Sequence, residues 1–464
     1  MSDPTMDRTF HVAMFPWLAI GHMTPFLHLG NNLAARGHRV SFYLPKKALS
    51  LLQDHNSHPD LITFHVFKVP HVDGLPPGTE TASDIPISDT SLLVAAMDRT
   101  RDQFESSLLE TRPDFVFYDV AHWVPMVARP LGIKAICYKV VAASSIAIAL
   151  VPARKVVPGM LLTEKELAEV PPGYPSRTVV LHGGEARSLQ FVSMPFGEGI
   201  TFYERTTAAM RESDALAIRT CRELEGNFCN YISEQYGKPV FLTGPVLPFP
   251  STSETSEEQW ISRLSQFETG SVIFCAFGSQ YILEIDQFQE LLLGIEATER
   301  PFLVSLKPPN GAASVEEAFP PGFGERTKGR GTVTGGWVPQ PQILRHKSVG
   351  CFVSHCGFGS MWESLMCESQ LVLVPHLGDQ ILNARLLAEE LRVAVEVDRT
   401  EHGLFSKESM RKAIESVMDP DGEVGKTVRK NHARWRETLT ATNFMSDYVD
   451  EFVRNLRSIL RPHA

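Results

Sequence analysis

The stretch from Val349 to Gln380 most constrains what this chain can fold into. Gly350 to Ser354 is a short apolar run, β-branched at Val349 and Val353, and reads as a buried strand. His355-Cys356-Gly357-Phe358-Gly359 is a glycine-punctuated turn, and from Ser360 a helical pattern begins with apolar Met361, Trp362, Leu365 and Met366. A strand, a Gly-rich turn and a helix in that order aim free backbone N–H groups at a phosphate. A second strand, Leu371 to Val374, ends at Pro375, and Asp379 and Gln380 open the next helix. In parallel α/β sheets ligands bind beyond the carboxyl ends of the strands, where all these polar residues fall.

The rest of the chain repeats the alternation. Strands are expected at Phe10–Phe15, Val40–Leu44, Leu61–Val66, Asp114–Tyr118, Ile133–Val140 and Ala215–Ile218, the last of the first half. Helices are expected at Pro25–Arg36, with Pro25 in its first turn, at Ser91–Glu110 and at His122–Leu131. Strand–helix alternation implies a parallel sheet. The Pro/Gly/Ser/Asp-rich stretch Val69–Asp89 reads as a long surface loop, of the kind that binds ligands. Residues 240–258 carry Pro245, Pro248 and Pro250 and then a Ser/Thr/Glu run, which marks a linker. Strands at Val272–Phe277, Phe302–Leu306 and Val393–Val397, with helices to Glu299 and at Ile381–Leu391, 406–418, 423–438 and 447–460, restart the pattern. The fold class is therefore α/β, with two doubly wound domains. The expected boundaries are 1–245, a linker at 246–256, 257–440, and a C-terminal helix, 441–464, that packs back on the first domain.

At 464 residues the chain is too long for one ordinary core. A net charge of −10 argues against nucleic acid and against an anionic membrane surface. Seven scattered cysteines with no Cys-x-x-Cys pair argue against a zinc ribbon or disulfide framework and for a reducing compartment. The longest apolar run, Val140–Val151, is interrupted by Ser144 and Ser145 and is too short to span a bilayer. No signal-peptide pattern opens the sequence, so a cytoplasmic location is expected.

His22 is the candidate base. It follows the first strand at a helix N-terminus, which disfavours an added positive charge and suits an imidazole that must accept a proton. Asp119 follows another strand of the same sheet and could hold the second ring nitrogen. The plain alternatives are an exposed loop histidine and a helix-capping aspartate. Ser360 and Glu363 could likewise form a capping box, Trp337 could be a core aromatic, and His355 a core histidine. Three look-alikes fall away. Trp362 stands where a dinucleotide fingerprint needs its third glycine, Gly425-Lys426-Thr427 follows no strand, and Asp419-Pro420-Asp421 reads as a helix-end turn. Nothing in the sequence requires a metal or a resident cofactor.

Trp337 to Gln380, 44 residues opening on Trp-x-Pro-Gln and closing on Asp-Gln, resembles the signature box of plant UDP-dependent glycosyltransferases. The resemblance runs over essentially the whole chain, and it implies two Rossmann-like domains facing a cleft, the GT-B type. It implies that Trp337 stacks on uracil and that Gln340 holds the base or ribose edge. Glu363 would hold the ribose hydroxyls, His355 and Ser360 the diphosphate, and Asp379 and Gln380 the donor sugar. Val338, Gly357, Phe358 and Gly359 complete the expected donor set, and Ser279, in the turn Gly278-Ser279, resembles a diphosphate contact. Phe358 and Gly359 depart from the commonest box, where Trp and Asn are usual. His22 and Asp119 match the family's catalytic histidine and its orienting aspartate. The implied activity is inverting transfer of a sugar from a UDP-sugar, a co-substrate, to a small plant metabolite. The segments FPWLAIGHMTPFLHL, DGLPPGTETASDIP, RTCRELEGNF and FSKESM resemble the sugar-branching enzymes that extend a flavonoid or anthocyanidin 3-O-glycoside. UDP-glucose is the first-choice donor, with UDP-xylose or UDP-rhamnose as alternatives, and a monomer is expected. A terpenoid or saponin glycoside, a flavonoid aglycone, a dehydrogenase on a doubly wound sheet, and a non-catalytic UDP-sugar-binding protein are the competing readings.

Overall fold

The computed structural model describes residues 9–157, 159–247, 258–278, 281–376 and 378–460. Ser279 and most of the expected linker lie outside the described residues. The chain divides into two compact units. One comprises Met1–Pro175, Gln190–Ser251 and Asn443–Ala464, the other Ser176–Leu189 and Thr252–Thr442.

The first unit is built on seven strands: β1 (His11–Phe15), β2 (Arg39–Pro45), β3 (Ile62–Phe67), β4 (Phe115–Tyr118), β5 (Lys134–Lys139), β6 (Ala215–Ile218) and β7 (Val240–Leu242). Their order is β3-β2-β1-β4-β5-β6-β7, and every pairing is parallel. Parallel strands covered on both faces must be apolar on both, and every residue of β1, β4 and β6 is buried. The strand order reverses between β1 and β4, whose register pairs Phe15 with Tyr118. The loops leaving these two strands diverge there and open a crevice.

The second unit repeats the design with β8 (Val272–Ala276), β9 (Phe302–Ser305), β10 (Gly331–Thr334), β11 (Val349–Ser354), β12 (Gln370–Leu373) and β13 (Ala394–Glu396). The order β10-β9-β8-β11-β12-β13 puts its reversal between β8 and β11. Ile273, Cys275, Cys351, Val353 and Val372 form its core with Phe288, Leu291, Met410 and Ile414 from helices Ile285–Glu296 and Lys407–Met418.

Several elements differ from expectation, among them β10, a strand that the sequence pattern did not mark. Ala215–Ile218 is not the last strand of its half. Val240–Leu242, inside the stretch read as a linker, pairs with it as β7. The first helix runs Ile20–Ala34, so Pro25 sits inside it rather than in its first turn. The early start is held by the Ala19 carbonyl, which accepts from the His22 and Met23 N–H groups at 2.9 and 3.0 Å. The single helix expected over Ser91–Glu110 is two, Thr90–Asp98 and Arg101–Thr111. The stretch Arg222–Tyr236, given no element by its pattern, is a helix.

The helix Phe444–Leu460 puts Phe452, Val453 and Leu456 into the first unit's core. Phe452 meets Phe117 of β4 edge-on at 5.9 Å and Phe241 of β7 at 6.4 Å. Arg36 Nε donates to Asp450 at 2.5 Å on the rim of this contact.

Candidate active site

In both sheets candidate site residues stand at the point of strand reversal, Asp119 after β4 and His355 after β11. In the first unit, Asp119 follows β4 directly and is fully buried. Its Oδ1 accepts the Trp17 N–H at 2.8 Å, which fixes the carboxylate against the end of β1. Its Oδ2 lies 2.5 Å from His22 Nδ1 in the first turn of the helix that follows β1. The imidazole keeps 29% of its side-chain surface exposed. A carboxylate bonded to Nδ1 selects the tautomer with hydrogen on that nitrogen, leaving the Nε2 lone pair to take a proton. The capping role considered for Asp119 is not the one it plays.

In the second unit, β11 delivers His355 into a groove between two glycines. A Cβ on Gly357 would stand 2.6 Å from His355 Nε2, and one on Gly278, after β8, would stand 3.0 Å from it. Gly278 also has φ 67°, a backbone state that side chains disfavour. Burial pushes His355 down to about 4, so the ring is neutral near pH 7. The turn continues through Cys356, a non-glycine residue at φ 65°, whose carbonyl accepts from the Asn383 amide at 2.9 Å.

The helix after this turn starts at Phe358, with Gly357 as its N-cap and no side-chain cap. The capping box considered for Ser360 and Glu363 therefore does not form, because both lie inside the helix. Gln340 joins them instead, its amide donating to Ser360 Oγ at 3.0 Å and to Glu363 Oε2 at 2.7 Å. The first turn carries no acidic residue, which leaves its N–H groups suited to an anion. Trp337 is 73% exposed and is no core residue. An exposed indole offers a face on which a flat ring could stack. Val338 and Phe358 are buried, and Phe358 packs edge-on against Trp362 at 5.8 Å. Any part these two play in holding a ligand falls to their backbone.

Asp379 and Gln380 stand in the first turn of the helix Gly378–Arg385. Gln380 Oε1 accepts the His376 N–H at 3.1 Å, and Tyr281 stacks on the His376 ring at 3.8 Å. Among the described residues, no group of three or more His, Cys, Asp or Glu could hold a metal ion. No helix among them is long and apolar enough to cross a membrane.

The profile of UDP-glucoronosyl and UDP-glucosyl transferases matches residues 320–433, the span that contains Trp337, Gln340, His355, Ser360, Glu363, Asp379 and Gln380. The anthocyanidin 3-O-glucoside 2'''-O-xylosyltransferase of Arabidopsis thaliana is 55% identical over 459 residues, 98% of this chain and 98% of that protein. The chain belongs to the UDP-glycosyltransferase family. UDP-glycosyltransferase 79B6 of the same plant is 52% identical over 98% of this enzyme and 99% of itself. UDP-glucosyl transferase 79T1 of Saponaria officinalis is 50% identical over 98% of this enzyme and 99% of itself. The fold is that of solved plant members. Arabidopsis thaliana UGT89C1 complexed with UDP-L-rhamnose has a TM-score of 0.76 at 22% identity, with 97% of this chain and 100% of that one covered. Glycyrrhiza uralensis UGT73P12 complexed with glycyrrhetinic acid 3-O-monoglucuronide has 0.79 at 22%, with 97% and 96% covered. The glycosyltransferase thus has two Rossmann-like domains and takes a UDP-sugar as co-substrate. Sequence reasoning missed the paired glycines around His355 and the Asn383 brace. The first was legible in principle, since Gly278 and Gly357 each follow a strand of the reversal pair.

Proposed function

We propose that this glycosyltransferase adds a sugar to the sugar of a flavonoid or anthocyanidin 3-O-glycoside, forming a branched 2''-O-linked product with inversion at the anomeric carbon. His22 takes the acceptor hydroxyl proton, and Asp119 orients the ring and stabilises the imidazolium as it forms. The hydroxyl oxygen attacks the anomeric carbon, the bond to the β-phosphate oxygen breaks, and UDP leaves. Trp337 stacks on the uracil, and Gln340 and Glu363 hold the base and ribose. His355, Ser360 and the N–H groups of the helix Phe358–Leu365 meet the charge growing on the diphosphate. Asp379 and Gln380 hold the donor sugar. Ser279, Val338, Gly357, Phe358 and Gly359 complete the donor set.

The observation that carries this reading is the 2.5 Å contact between His22 Nδ1 and Asp119 Oδ2. A protein that only bound UDP-sugars would have no use for an oriented, half-exposed imidazole. The acceptor class is supported by the name of the Arabidopsis xylosyltransferase and its 55% identity. UDP-glucose is the first donor to test, for the amide of Gln380, then UDP-xylose, for that relative, then UDP-rhamnose. The enzyme works as a cytosolic monomer. All seven cysteines are free and buried, which suits a reducing compartment, and one chain carries both the base and the donor residues.

The test is UDP release from each of the three donors with a flavonol 3-O-glucoside, an anthocyanidin 3-O-glucoside and their aglycones, alongside His22→Ala. Turnover confined to the glucosides, with a 2''-O linkage by NMR and lost in His22→Ala while UDP still binds, is the expected result. Turnover on the aglycone, or on a triterpenoid glycoside alone, overturns the acceptor class. UDP binding without turnover on any acceptor overturns the catalytic reading.

A further inference from the structure

Residues 176–189 leave the first unit, become part of the second, and return the chain to the first at Gln190. Several of their contacts fall on one element, the helix Gly378–Arg385 with its continuation Leu386–Glu390. Ser176 Oγ and Thr178 Oγ1 both donate to Glu390 Oε2, at 3.1 and 3.0 Å. Leu189 and Ser188 press on the helix start, where a Cβ at Gly378 would stand 2.6 Å from Leu189 Cδ2 and 3.0 Å from the Ser188 carbonyl. Gly378 immediately precedes Asp379 and Gln380.

Glu185 is the centre of this attachment. Its Oε2 accepts the His182 N–H at 2.9 Å and closes the segment's own turn. Its Oε1 accepts from Arg385, the last residue of the helix, at 2.6 Å, and lies 3.5 Å from Arg399. Arg385 also pairs with Glu396 at the end of β13, and Arg399 pairs with Glu396 at 2.6 Å. Arg399 reaches the Pro375 carbonyl at 2.8 Å, on the other side of Asp379. Two arginines and two glutamates thus form a mostly buried, charge-balanced ring at the end of the helix Gly378–Arg385. Removing one member of such a group leaves its partners buried and uncompensated, so the helix shifts.

We propose that Glu185 is a positioning residue for the donor sugar, which it aligns by fixing the helix that carries Asp379 and Gln380. The proposal rests on the reading of those two residues as sugar-holding. It makes a segment from the half of the sequence that carries His22 a determinant of donor use.

The experiment compares Glu185→Gln, Glu185→Asp, Leu189→Ala and Asp379→Ala with the wild-type full chain. The donor is whichever of UDP-glucose, UDP-xylose and UDP-rhamnose turns over fastest. Glu185→Gln is expected to raise the donor KM about tenfold, with the Kd for UDP alone and the acceptor KM each within about twofold of wild type. Glu185→Asp, which keeps the charge, recovers most of that loss, and Leu189→Ala shows the same donor-selective effect if Glu185→Gln fails to fold. A melting temperature lowered without a change in donor KM overturns the proposal, as does equal weakening of UDP and UDP-sugar. If Asp379→Ala leaves the donor KM unchanged, the sugar-holding reading itself fails. If Asp379→Ala raises it and the Glu185 and Leu189 variants do not, only the positioning role fails.

Discussion

Asn383 Nδ2 donates a 2.9 Å hydrogen bond to the carbonyl oxygen of Cys356, both residues being fully buried. Cys356 sits at φ 65°, a conformation that costs an L-residue roughly 1–2 kcal/mol. The bond holds the His355-Cys356-Gly357 turn in that state from a helix more than twenty residues downstream. Asn383→Ala leaves a buried carbonyl without this partner, which costs about 1–3 kcal/mol. We expect a lowered urea midpoint together with weakened UDP binding by calorimetry. Lost stability with unchanged UDP affinity would show that the turn keeps its shape without the brace.

The stacking role proposed for Trp337 would separate binding from folding. Its 73% exposure predicts that Trp337→Ala changes stability by no more than about 0.5 kcal/mol. Base–aromatic stacking is worth about 1–3 kcal/mol, so the Kd for UDP should rise by about five- to 150-fold. Urea denaturation and UDP titration of the same preparation check both halves.

The two glycines around His355 give a steric prediction. Gly357→Ala would put a methyl 2.6 Å from Nε2 and must displace the ring. UDP affinity is expected to fall about tenfold or more, some 1.4 kcal/mol. Gly324, in the helix Phe323–Arg326 with nothing within 4 Å of an added Cβ, is the control. Gly324→Ala should leave UDP binding unchanged and stabilise slightly.

Asp119→Asn tests the tautomer. Asp119 Oδ1 already takes the Trp17 N–H, so an asparagine keeping that bond turns its NH₂ toward His22 Nδ1. Nδ1 then becomes the acceptor, the proton moves to Nε2, and the base loses its lone pair. We expect kcat to fall by about 10²–10⁴ with the donor KM little changed, by steady-state kinetics. A drop in donor affinity instead would place Asp119 in binding.

Stability should fall on mild acidification. Burial lowers His355 and His432 to about 4 and His376 to about 3, against an ordinary 6.5. These rings are neutral when folded, so their stabilisation is fully present above about pH 6.5. It is lost as pH falls toward 4, because the unfolded chain binds the protons first. Each ring contributes a loss of roughly 2 kcal/mol by pH 5. Urea midpoints flat from pH 8 to 7 and falling from 6 to 4 are expected. His432→Gln, which can still donate to the Ser364 carbonyl, should shallow that slope.

The candidate donor residues could be picked out because they are nearly contiguous and most follow the apolar runs of β11 and β12, whereas β10, before Trp337, has no such run. His22 and Asp119 were legible for the same reason, each standing just past a strand. Other features depended on contacts the local pattern cannot report. β7 has three residues, beside Pro245, and becomes a strand only through pairing with β6. Glu185 meets Arg385 across 200 positions of sequence, so nothing near either residue hints at the other. Ser360 and Glu363 have the spacing of a helix cap, yet Gly357 starts the helix three residues earlier and turns them to another use.

The helix Phe444–Leu460 has a consequence for how the protein is made. Its Phe452, Val453 and Leu456 complete a core whose first strand is His11–Phe15, yet the ribosome emits them only after the entire second unit. The nascent first unit therefore carries an uncovered apolar face throughout synthesis of the second, which makes it a natural client for chaperones that shield such faces. Folding of the unit that begins the chain is finished by residues translated after all of its neighbour.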